Sequence, residues 1–125
     1  MVYNYYFEKL EVWQDARRLV KYIYDLTSTY PETEKYAICS QIQRAIVSVP
    51  SNIAEGMSRD SVKEKLRFLE VAYGSLMEVL CQLYLSVDLE YITQDQLETL
   101  RPCLNKTANE LNALVRSLKK SKEKE

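Results

Sequence analysis

The chain has 125 residues and 17 Lys and Arg against 18 Asp and Glu, a formal charge of -1. It is long enough for one apolar core but too short for two, and it lacks the overall basic excess of a dedicated nucleic-acid binder. It contains no histidine, which excludes the Glu-x-x-His sites of di-iron bundles, zinc–histidine clusters and histidine acid/base pairs.

Two glycines and three prolines leave little material for hairpins or long loops, so the Leu-rich, charged remainder predicts an all-α fold. The opening MVYNYYFEKL has no basic n-region and no apolar h-region. Nowhere do about twenty apolar residues run together as a membrane span requires, so a cytoplasmic protein is expected. Tyr3, Tyr5 and Tyr6 crowd before Phe7; they either pack on the end of their own bundle or offer contact area to a partner. Three cysteines, Cys39, Cys81 and Cys103, form no Cys-x-x-Cys pair and read as reduced thiols rather than a disulfide framework.

The first predicted helix runs from roughly Glu8 to Thr29, with Leu10, Trp13, Ala16, Val20, Ile23 and Tyr30 on one side and Arg17, Arg18, Lys21 and Asp25 on others. It ends before Pro31. The second, from about Glu32 to Met57, contains the stretch SVPSNIAEG. Pro50 has no N–H for the carbonyl of Ile46 and disfavours helical geometry at Val49. Yet Ile42, Ile46, Val49, Ile53 and Met57 keep their phase through it, which predicts a kinked but continuous helix, with Ser48 or Ser51 able to bond loosened backbone groups. Arg44, Ser48, Asn52, Glu55 and Arg59 form a polar stripe beside the apolar one. The stripe is either structural, with Glu55 paired to Arg59 or Arg44, or an interface or phosphate-binding surface.

The third helix opens with a capping box, Ser61 and Glu64, and runs to about Asp88 through Leu66, Leu69, Ala72, Leu76, Leu80 and Leu83. Both glycines sit in helical pattern, where each costs about 1 kcal/mol relative to alanine. Gly56 can end its helix, whereas Gly74, beside Ala72 and Ser75, predicts a close approach by another helix. The fourth helix starts at the Thr93 and Gln96 capping box; Leu97, Leu100, Leu104, Leu111, Leu114 and Leu118 form one stripe with Thr107 filling its gap. Pro102 predicts a kink or a displaced start. A bundle domain is therefore placed at 1–118 and a charged tail at 119–125. Four long helices with short connections predict an up-down antiparallel four-helix bundle.

Only the last quarter is basic: residues 93–125 hold seven cations and five anions. Arg116, Lys119, Lys120, Lys122 and Lys124 are either a solvated helix end or an RNA-contacting tail. Glu55, Glu70 and Glu78 occupy single helix positions and read as ion-pair partners. With no Gly-rich phosphate loop and no nucleophile elbow, neither an enzyme nor a cofactor or metal site is expected.

In order and spacing, FEKLEVWQDA, YPETEKYAICSQIQRAIVSVPSNIAEGMSRDS, FLEVAYGSLMEVLCQL and the later YI resemble the 23S rRNA intervening-sequence protein family of bacterial four-helix-bundle proteins, over about Phe7 to Leu118. The resemblance implies a homopentamer associated with nucleic acid, and not an enzyme. A related branch is the Avd accessory variability protein of diversity-generating retroelements, a pentameric barrel that binds nucleic acid and a reverse transcriptase. The motif falls on Gln41, Arg44, Ala45, Ser48, Pro50, Ser51, Asn52, Ile53, Ala54, Glu55, Gly56 and Arg59, with Gly74, Ser75 and Glu78 from the third helix, and Trp13 and Glu34 match earlier positions. Cys39-Ser40 and the overall acidity depart from the family pattern. Two functions follow. One is a homo-oligomeric scaffold for RNA or a ribonucleoprotein, its cations being Arg17, Arg18, Lys21, Arg44, Arg59, Lys63, Lys65, Arg67 and the Arg116 to Lys124 tail. The other is an adaptor for a protein such as a reverse transcriptase, without nucleic-acid contact.

Overall fold

The structure, a computed structural model, describes residues 5–123; Tyr3 and Lys124 lie outside the described residues. A short 3-10 turn (Tyr6–Lys9) leads into helix α1 (Glu11–Thr27), a second one (Glu32–Glu34) precedes α2 (Ile38–Met57), and α3 (Val62–Asp88) and α4 (Gln94–Glu123) complete a four-helix bundle. Two helices start later than the sequence pattern suggests. Leu10 is extended and its N–H bonds the Phe7 carbonyl, so the first residues close a tight turn instead of opening α1. Pro31 likewise starts a turn, its carbonyl accepting from the Glu34 N–H at 2.9 Å, and α2 opens only after Ala37 leaves helical geometry.

Each helix packs on the next, and α4 closes on α1. Across the α2–α3 contact Gly56 meets Phe68, Ser48 meets Ser75 and Gln41 meets Gln82. Numbers fall on one helix as they rise on the other, so these two helices are antiparallel. The connection between them is pinned at both sides: Ser61 Oγ accepts from the Glu64 N–H at 3.1 Å, and the Lys65 ammonium donates to the carbonyls of Met57 and Arg59. At the opposite end the Tyr91 hydroxyl donates to Glu34 Oε1 at 2.8 Å, tying the α3–α4 connection to the α1–α2 connection.

Helix α2 is continuous through Pro50, and Ile42, Ile46, Val49 and Ile53 are fully buried on one stripe. Asn52 Nδ2 donates to the Ser48 carbonyl at 2.8 Å and to Ser48 Oγ at 2.9 Å, and Ser48 Oγ shares a 2.9 Å hydrogen bond with Ser75 Oγ. Helix α4 likewise includes Pro102. Its start is not displaced: Thr93 and Gln96 form a reciprocal capping box, with Gln96 N–H to Thr93 Oγ1 at 3.1 Å and Thr93 N–H to Gln96 Oε1 at 2.8 Å. Thr107 fills the gap in the leucine stripe, fully buried, its hydroxyl donating to the Cys103 carbonyl at 2.9 Å. Ala16, Ile23 and Tyr30 of the expected α1 face are buried, but the rest of that face differs. Val12, Ala16, Leu19 and Ile23 are buried, whereas Leu10, Trp13 and Val20 pack at the margin.

Gly56 does lie one residue from the end of α2, but the close approach expected at Gly74 is found at Gly56 instead. Nothing lies within 4 Å of where a Cβ at Gly74 would be, so no helix of the same chain approaches it. The close approach is at Gly56, buried inside α2, where a Cβ would stand 2.7 Å from Phe68 Cβ. A Gly56→Val protein is therefore expected to lose about 1–3 kcal/mol of stability through overpacking, whereas Gly74→Ala changes it by no more than about 1 kcal/mol. Urea melts followed by circular dichroism decide, and equal midpoints for the two variants would refute the assignment.

Candidate nucleic-acid interface

The C-terminal turns of α4 lie beside the first turns of α3, with Leu66, Glu70 and Tyr73 facing Leu111, Val115 and Lys119 across one cleft. This puts residues 59–67 and 116–122 at the same end of the bundle. Together they hold eight cations (Arg59, Lys63, Lys65, Arg67, Arg116, Lys119, Lys120 and Lys122) against two carboxylates, Asp60 and Glu64. At the other end, residues 32–35 and 88–98 hold six carboxylates and one cation, Lys35, and the Tyr91–Glu34 bond joins the two segments. A net charge of -1 thus conceals a bundle with a basic end and an acidic end. The α4 cations also match the negative end of the helix dipole.

The candidate cations are unequally available. Arg18 Nη1 pairs with Asp15 at 2.6 Å, Lys21 with Asp25 at 3.1 Å and Arg59 with Glu55 at 2.9 Å, and Lys65 is held by the α2–α3 turn carbonyls. The Arg17 guanidinium lies over the Trp13 ring, 5.5 Å from its centroid. Arg44, Lys63, Arg67, Arg116, Lys119, Lys120 and Lys122 are exposed and make no ion pair among the described residues. Within the polar stripe, Ser48 bonds Ser75 of α3, Asn52 bonds back to Ser48 and Glu55 pairs with Arg59, leaving Arg44 turned to solvent. Ser51 is exposed beside Pro50 in a shallow groove with Phe7 and Trp13. Sequence reasoning missed Lys35 and Tyr36, which share a groove with Arg44; their place in the α1–α2 connection carries no helical periodicity to mark them.

Helix α3 bears a second surface. By length and composition it could cross a membrane, although only a third of its most apolar window is buried in the bundle. One side of it, Leu69, Ala72, Leu76, Val79 and Leu83, walls the core. The other side leaves Val71 49%, Leu85 47% and, just past the helix end, Leu89 54% exposed, with Gly74, Cys81 and the exposed Glu78 between them. Burial pushes the Cys39 and Cys103 thiols up from their ordinary values, so neither is an activated nucleophile.

A carboxylate cluster lies where α1 meets α4. Oxygens of Glu11, Asp15 and Glu110 are within 4.8 Å of one another, but Lys106 Nζ stands among them, 2.8 Å from Glu11 and 3.2 Å from Asp15. The ammonium supplies the charge a metal ion would, and these carboxylates hold it above its ordinary pKa. Asp15 Oδ2 has the Lys106 ammonium 3.2 Å away, whereas Glu110 Oε1 is buried without a partner among the described residues. A proton retained on Glu110 and donated to Asp15 supplies that partner. Burial, followed by the neighbouring Asp15, raises Glu110 to about 7. Burial opposes ionisation of Asp15, yet its bond to Glu110 and the charges of Lys106 and Arg18 hold it below its usual value.

The family model described as 23S rRNA-intervening sequence protein matches residues 8–113. A crystal structure described as a protein with unknown function from the S23 ribosomal protein family of Bacteroides thetaiotaomicron VPI-5482 superposes with a TM-score of 0.74. The two are 22% identical, and the match covers 83% of this chain and 97% of that one; at that identity it shows the fold alone. No curated protein matches the sequence.

The Glu110 carboxyl makes stability depend on pH. Its pKa in the fold, about 7, lies above its ordinary 4.5, so its contribution is complete below pH 4.5 and is lost as pH rises through 7. Glu110→Gln is expected to flatten the fall in urea midpoint between about pH 5 and 8. An equal fall in the wild type and the variant would show that the pair shares no proton.

Proposed function

The chain belongs to the 23S rRNA-intervening sequence protein family, and from that premise we propose that it is a non-enzymatic, homo-oligomeric scaffold for RNA or a ribonucleoprotein in the cytoplasm. The observation that carries this reading is the convergence of eight cations from the α2–α3 turn and the α4 C-terminus on one end of the bundle. Phosphate contacts need local positive charge, not a positive total. Self-association enters through the uncovered α3 strip, since an apolar strip of this kind is where a soluble bundle gains by burying surface against a copy of itself. The ring of five that the resemblance implies would set five basic ends side by side.

Anisotropy of a labelled structured RNA, titrated between about 50 and 200 mM salt, is expected to show a steep log–log slope. Replacing Lys119, Lys120 and Lys122 with Gln lowers that slope by about 2–3 per protomer, at roughly 0.7–0.9 per phosphate. An assembly that binds no RNA at low salt would overturn the reading in favour of the protein–protein adaptor. For assembly, Val71→Glu with Leu85→Glu is expected to reduce the mass seen by light scattering to that of one 14.7 kDa chain, with helical circular dichroism unchanged. An undiminished mass would free the α3 strip of that role.

A further inference from the structure

We infer that the groove between the end of α1 and the first turns of α2 holds an unstacked base of single-stranded RNA. Its chemistry is that of one nucleotide unit: two open aromatic rings, two cations and a side-chain amide. This inference rests on the RNA reading above and assigns it a second surface, distinct from the basic end.

The groove has a volume of about 500 Å³, inside the roughly 300–1,000 Å³ range of clefts that take small ligands. Tyr24 from α1 and Tyr36 from the α1–α2 connection both line it, Lys35 and Arg44 supply its charge, and Val47 and Gln43 come from α2. Among the described residues no carboxylate lines it. Glu34, next to Lys35 in the chain, is engaged by the Tyr91 hydroxyl, and Arg44 makes no ion pair among the described residues. The groove's own lining thus offers two cations to a phosphate, while the Glu34 carboxylate next to Lys35 keeps its charge outside that lining.

Tyr36 is 88% exposed and Tyr24 43%. The Lys35 ammonium lies 5.6 Å from the centre of the Tyr36 ring, so one ring face is occupied and the other is open. Aromatic faces of this kind accept any base, because every base has a π-face. The amide of Gln43 is oriented by its surroundings. Thr27 Oγ1 donates to the Ile23 carbonyl at 2.9 Å and must accept from Gln43, whose Nε2 lies 3.0 Å away. That bond leaves the Gln43 amide oxygen to accept from a base amino group.

The test uses the full chain, a fluorescein-labelled single-stranded oligoadenylate of ten nucleotides, and free AMP. Tyr36→Ala is expected to weaken oligonucleotide binding about 5- to 150-fold, the worth of one stacked base, with the salt slope unchanged. Arg44→Gln is expected to lower that slope by about 0.7, the share of one phosphate on a single strand. Photocrosslinking of the oligonucleotide should place adducts on Tyr24 or Tyr36. The Lys119→Gln, Lys120→Gln, Lys122→Gln protein separates the two surfaces. If it alone loses affinity while Tyr36→Ala binds as the wild type does, the groove inference fails and the RNA reading survives. If the wild type binds neither this oligonucleotide nor structured RNA, both fail. AMP binding as tight as that of the oligonucleotide would overturn the assignment in favour of a free-nucleotide site. Because Tyr36 covers nothing in the core, its removal reads binding rather than folding.

Discussion

The seam between α2 and α3 is the constraint on which the rest of the bundle depends. Pro50 in the middle of α2 withholds an N–H and costs about 3 kcal/mol in a helix interior. Ile42, Ile46, Val49 and Ile53 are buried completely on the same helix; at about 1.5–3 kcal/mol each, their burial is worth roughly 6–12 kcal/mol as an upper bound. Packing therefore outweighs the proline, and the helix stays whole. The Ser48–Ser75 hydrogen bond then ties the two helices in register, with Asn52 bonded back to Ser48 within α2, while Gly56 lets Phe68 come close enough to bring the helices together.

That register decides where charge ends up. Because the α2–α3 turn is short and α4 runs back along α3, cations some fifty residues apart in sequence meet at one end. The same alignment gathers the carboxylates of the two other connections at the opposite end. Neither grouping is produced by composition. A chain whose totals nearly cancel can still present a strong local field, since the potential near a surface follows the nearest charges and salt screens those beyond about 10 Å.

The helices were legible in the sequence because their signal is local. The leucine stripe of α4, its Thr93 and Gln96 cap, and the unbroken apolar phase through Pro50 each depend on residues a few positions apart, and each lies where periodicity puts it. What the sequence hid was relational. Gly56 and Gly74 look alike in a helical pattern, and only the position of Phe68 distinguishes them. The Asp15–Glu110 contact joins residues from the first and last helices, and nothing at either position marks the other. Lys35 and Tyr36 were illegible for another reason: they sit in a turn, where no period separates an outward side chain from an inward one.

The same contrast bears on where function resides. Residues of the conspicuous SVPSNIAEG stretch are turned largely inward: Ser48 bonds Ser75 of α3 and holds Asn52, Val49 and Ile53 fill the core, and Gly56 admits Phe68. A motif that holds two helices in register is constrained at nearly every position, so it is the part of such a chain easiest to recognise. The surfaces that remain for a partner are the basic end, the apolar strip of α3 and the tyrosine groove, and these are built from residues with few neighbours. Their side chains answer to what they bind rather than to the fold. Family membership accordingly identifies the scaffold, and function has to be sought in the charges and rings that the scaffold leaves free.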